Sequence, residues 1–121
     1  MNMKTLYDGR QVDSSSEEWR AHCEATTMLA MPMNERHAHL NAVGTRRGDQ
    51  AKRALSDLVR RIWIDRQARA LNAEDNWEEV ALRLHAIGKK DAQGARLRAD
   101  IEVRMQELIS NHNNDTERTA A

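Results

Sequence analysis

The chain has 121 residues, enough for one small domain with a single modest core, or such a domain with an extension. Apolar residues make up 40%, charged residues 31%, and the formal net charge is zero. That balance excludes a membrane-spanning chain, which needs ~20 consecutive apolar residues. It also excludes an acidic mimic of nucleic acid, and it lacks the overall basicity of a nucleic-acid binder.

Five glycines and one proline leave long stretches free to be helical, and the abundance of Ala, Leu, Glu and Arg favours helix. Asp8-Gly9 stands between Thr5-Leu6-Tyr7 and Arg10-Gln11-Val12, a pattern that predicts a two-residue hairpin turn with positive φ at both turn residues. Ser14 with Glu17, or Ser15 with Glu18, can open a first helix by a capping box. Its expected buried face is Trp19, Cys23, Thr26, Leu29 and Ala30, and Pro32 ends it. Asn34 can cap a second helix to about Val43, with either a turn or a weak spot over Gly44 to Gly48. Asp49 can cap a third helix to about Leu71, its core stripe Ala51, Leu55, Leu58, Val59 and Ile62, with Trp63 at the margin.

Residues 72–75 read as a connector. A fourth helix then carries Trp77, Val80, Ala81, Leu84 and Ile87 on one face and stops at a left-handed Gly88. Asp91 can cap a fifth, with Leu97, Ile101, Met105 and Leu108 in line. From residue 113 the chain is polar and expected to be disordered. The predicted fold is therefore mainly α, a bundle of about five helices with a short N-terminal β-hairpin and a disordered tail. Its expected organisation is a module over 1–71, a helical extension over 72–112 packed on it, and the tail over 113–121. With no Phe and one Tyr, the core must be aliphatic, anchored by Trp19, Trp63 and Trp77.

The segment Leu6-Tyr7-Asp8-Gly9-Arg10, then Ser14-Ser15-Ser16-Glu17-Glu18-Trp19-Arg20 with Cys23-Glu24, resembles a family of small uncharacterised proteins of bacteriophages and prophages of Proteobacteria. The later Arg46-Arg47-Gly48, the Ala/Leu/Arg-rich helix and Ile62-Trp63 add to the resemblance, which spans about residues 5–71. It implies no activity and no functional residue. It implies a context, the cytoplasm of an infected bacterium. A lone cysteine, Cys23, which cannot form an internal disulfide, agrees with a reducing compartment. Residues 1–12 lack the apolar stretch of a secretion signal.

Little of the usual chemistry is present. His37 and His39 diverge on a helix, as do His22 and Cys23, and no spacing supplies the four ligands of a closed zinc site. Cys23, mid-helix on the expected apolar face, reads as a small hydrophobe rather than a nucleophile. There is no phosphate-binding glycine loop. Carboxylates fall four residues before a base at Asp49–Arg53, Asp57–Arg61 and Asp65–Arg69, the pattern of a solvated helix surface. Neither enzyme activity nor a metal or other cofactor is expected.

Charge is unevenly spread: residues 46–71 hold eight Lys/Arg against three Asp/Glu, whereas 72–121 hold seven against ten. At about 100° per residue, Arg46, Arg53 and Arg60 line up opposite the core stripe of the third helix, with Ile64 on the same outward face and Trp63 at its edge. Arginine and tryptophan are common interface anchors, so this face is the candidate partner-binding surface. The expected function is that of a phage accessory protein binding a host or phage protein, for instance an inhibitor of host anti-phage defence in the manner of anti-CRISPR proteins. One alternative is nucleic-acid binding through Arg46, Arg47, Lys52, Arg53, Arg60 and Arg61. Another is a self-associating structural protein. No membrane partner is expected.

Overall fold

The computed structural model describes residues 2–89 and 91–111 with their side chains, and 112–120 only as part of the span of the last helix. The elements in chain order are β1 (Met3–Thr5), β2 (Gln11–Asp13), α1 (Glu17–Leu29), α2 (Met33–Arg47), α3 (Asp49–Asn72), α4 (Trp77–Gly88) and α5 (Ala92–Ala120). The mainly α architecture of five helices and one N-terminal hairpin agrees with the sequence reading. The tail expected to be disordered, 113–121, lies outside the fully described residues. The chain divides into two compact units, Met1–Trp63 and Ile64–Ala121. The division falls inside α3 rather than at the connector after residue 72.

In the first unit, β1 and β2 pair antiparallel with Lys4 opposite Val12. The turn differs from the expected one. Gly9 N–H donates to the Leu6 carbonyl and Leu6 N–H to the Arg10 carbonyl, at 3.0 and 2.8 Å. Gly9 alone has positive φ here, at 93°, and Asp8 does not. This is a three-residue loop in which glycine takes the left-handed position. Asp8 accepts from the backbone and side-chain nitrogens of Arg10, which fixes the loop without positive φ at Asp8.

Ser16 caps α1, its hydroxyl accepting from Trp19 N–H at 3.2 Å. With Trp19 three residues on, neither expected capping box forms. Met33 opens α2 directly after Pro32, so Asn34 is not its cap. Gly44 lies inside α2, and only Gly48, at φ 96°, makes the break before α3. The first core joins Ala25 and Met28 of α1, Val43 of α2, and Leu55, Val59 and Ile62 of α3. The α1 face is thus corrected: Cys23 is exposed and Ala25 and Met28 are buried. Trp19 is half-buried and stacks on His22 at 5.2 Å, and Tyr7 of the hairpin loop lies near parallel to the same imidazole at 6.3 Å.

The second unit is built on Ile64, Ala68 and Leu71 from the end of α3, Val80 and Leu84 from α4, and Ile101 and Met105 from α5. The predicted α5 line holds. Asp65 is buried among them, 2.8 Å from Arg104 of α5 and 2.9 Å from Arg69. A buried carboxylate demands such partners. Asp91 caps α5 through Gly94 N–H at 2.8 Å. Three expectations fail in α4, where Ala81 of the predicted face is exposed. Gly88 is its last residue and lacks positive φ. Trp77, expected in the core, is 74% exposed, although helical spacing keeps it on the side of Val80 and Leu84: its place in the first turn leaves it uncovered. No helix among the described residues is long and apolar enough to cross a membrane.

Candidate functional site

An open groove of about 530 Å³ runs along α3 in the first unit. Leu40 of α2 supplies an apolar edge, and Asp49, Lys52, Arg53, Ser56, Asp57 and Arg60 of α3 line the rest. The α3 residues recur on one side because spacings of three and four keep a helix face together. That side is turned from Leu55, Val59 and Ile62, whose burial sets the rotation of the helix.

The structure brings together Arg53 and Arg60 of the predicted face. Arg53 is exposed and, among the described residues, carries no ion pair or side-chain hydrogen bond. The expected Asp49–Arg53 pair does not form, whereas Asp57–Arg61 and Asp65–Arg69 do, at 2.8 and 2.9 Å. Arg60 is half-buried along the groove. Three members of the predicted face are placed differently. Arg46 is exposed but belongs to α2, since Gly48 interrupts the helix and the seven-residue spacing does not carry across the break. Trp63 is half-buried and does not line the groove. Ile64 is 7% exposed and belongs to the second core, which corrects its expected outward position. It does point away from the Leu55 stripe, but the end of α3 buries its other side, through Ile64, Ala68 and Leu71.

The residues considered for nucleic acid are partly committed within the chain. Arg47 donates to both carboxylate oxygens of Glu24, at 2.9 and 3.1 Å. Lys52 donates to the Asn41 side-chain oxygen at 3.1 Å, and Arg61 holds Asp57. Glu24 also meets His39 at 2.9 Å. The Arg47 hydrogen bonds, opposed in part by burial and helped by His39, hold the Glu24 carboxyl below its usual range. This cluster ties α1 to α2 and leaves little of Arg47 for a ligand. Sequence reading missed Glu24, His39 and Leu40 as a set, because the groove edge and the clamp both depend on the placement of α2.

Among the described residues, no three His, Cys, Asp or Glu side chains are grouped to hold a metal ion. Cys23 is exposed on α1, and its carbonyl accepts from the Thr26 and Thr27 hydroxyls at 2.9 Å.

A family of unknown function (DUF7696) matches residues 12–66, which run from β2 through α1 and α2 into α3 and include every residue of the groove. Neither a curated protein nor a solved structure matches the chain significantly. The chain is thus similar, over its first unit, to a family that brings no activity with it.

Proposed function

We propose that this chain is a non-catalytic binding protein whose α2–α3 groove receives a protein partner. The observation that carries this reading is Arg53. It is exposed at the groove with no ion pair among the described residues, although Asp49 stands four residues before it. Solvated helix arginines gain little from neighbours, but an arginine desolvated by a partner is among the costliest side chains to lose. Leu40 adds an apolar contact beside Lys52, Arg53 and Arg60. The earlier resemblance to phage proteins sets where the partner is sought, in lysate of an infected bacterium, and a role in blocking a host defence is the form such binding takes in that context.

Arg53→Glu is the test. It should leave the melting temperature nearly unchanged, because among the described residues Arg53 has no ion pair or side-chain hydrogen bond to lose. It should weaken binding to the captured partner at least tenfold. Wild-type binding by the variant would return the groove to ordinary surface. Salt separates the nucleic-acid alternative: counterion release gives a steep linear fall of log affinity with log salt, whereas a protein contact with an apolar part falls less. Asp49 and Asp57 between the groove cations weigh against phosphate.

A further inference from the structure

Among the described residues the most exposed large hydrophobic side chain is Trp77, at 74%. It stands at the first position of α4, between Glu74 and Asp75 on one side and Glu78 and Glu79 on the other. Of these four carboxylates only Glu79 has an ion pair among the described residues, a loose one with Arg83 at 3.8 Å. The result is an exposed aromatic knob within an acidic stretch of chain, its acidic collar in sequence. The α3 groove has the opposite sign on balance, with Lys52, Arg53 and Arg60 against Asp49 and Asp57, and an apolar edge at Leu40. Residues 46–71 carry an excess of five positive charges and residues 72–121 an excess of three negative ones, while the whole chain is neutral. Neutral molecules with segregated charge attract when oriented and meet no long-range repulsion on approach.

We propose that the Trp77 knob of one molecule docks in the α3 groove of a second copy of this chain. The inference rests on the groove being a docking surface and adds its occupant. Because knob and groove are different patches, the contact is head-to-tail: one copy keeps its groove and the other its knob, so association continues past the dimer or closes into a ring. Tryptophan and arginine supply the centre of the contact, and the acidic collar sets its orientation.

The experiment is sedimentation velocity on the full chain from low to several hundred micromolar, at low and at high salt. The expected result is a mass that grows with concentration at low salt, passes the dimer, and falls when salt is raised. Trp77→Ala and Arg53→Glu should each weaken association at least tenfold. Both side chains are exposed, so circular dichroism should show their folds intact. The decisive sample mixes the two variants. Trp77→Ala keeps a groove and Arg53→Glu keeps a knob, so together they should form one-to-one dimers and nothing larger. A wild type that stays monomeric throughout overturns the proposal, as does an assembly indifferent to Trp77→Ala. Failure of the underlying reading is distinguishable. A monomeric wild type whose lysate partner is still lost on Arg53→Glu keeps the groove and removes the second copy, whereas indifference of both associations to Arg53→Glu removes the groove itself.

Discussion

Glu24 shows how one side chain can organise two helices. Its carboxylate, 22% exposed, takes two hydrogen bonds from Arg47 and one contact from His39, both on α2. Because the folded-state acidity is raised, its contribution to stability is complete above the ordinary carboxyl range, about pH 4–5, and is lost as pH falls through the lowered value. Glu24→Gln removes a mostly solvent-screened pair, so at neutral pH the loss should be about 1 kcal/mol or less. The clearer sign is in acid: thermal melts from neutral pH down to about pH 3 should show a flatter decline for the variant than for the wild type. Parallel declines would mean that the pair is not formed in solution. Nothing in the sequence marks Glu24 as special, since its partners lie 15 and 23 residues away. Cys23 misleads in the opposite sense. Its type favours burial, and the helix turns it to solvent because Ala25 and Met28 pack the core more completely.

At the scale of elements, the join of α1 and α2 depends on Arg36. Its guanidinium donates to the carbonyls of Met28, Leu29 and Met31, at 3.2, 3.4 and 3.3 Å. The last carbonyls of a helix have no partner within it, and a cation there also meets the negative end of the helix dipole. Arg36→Ala should cost about 1–2 kcal/mol, read as a lower urea midpoint. Arg36→Lys should recover only part of this, because a single ammonium does not match the forked donors. Full recovery by lysine would show that charge alone matters. In the second unit, Gly94 sets how closely α5 begins beside the end of α4. A Cβ there would lie 2.5 Å from the Ile87 carbonyl oxygen, which is backbone and cannot swing aside. Gly94→Ala should therefore destabilise by about 1–3 kcal/mol despite the better helix propensity of alanine. A stabilised variant in thermal melts would mean that the α4–α5 connection yields easily. Gly44 presents a milder case, since an added Cβ would meet only the flexible Lys52 stem at 3.0 Å. That closeness accounts for a small residue at position 44, which sequence reading put at a turn or weak spot and which sits within α2.

For the whole molecule, zero net charge near neutral pH predicts least solubility there, with recovery on either side. Turbidity of concentrated samples across pH measures this, and a minimum far from neutrality would mean that surface charge is not as the sequence counts it. The helices themselves were legible without coordinates. The aliphatic stripes of α3 and α5 follow from spacings of three and four, and Asp91 and the Asp8-Gly9 turn mark their places by residue type. These are local properties, fixed within a turn or two of chain. What the sequence left open depends on which faces meet. Trp77 and Ile64 are both large and apolar, yet one is exposed and the other buried, because burial is decided by the elements that cover a face. The change of buried side along α3, the commitment of Arg47 to Glu24, and the meeting of Leu40 with Arg53 and Arg60 in one groove all require α2, α3 and their neighbours to be placed in space. Local propensity and periodicity determined the elements; only tertiary packing, where distant residues compete for the same partners and the same dry surface, decided which residues are left to face a partner.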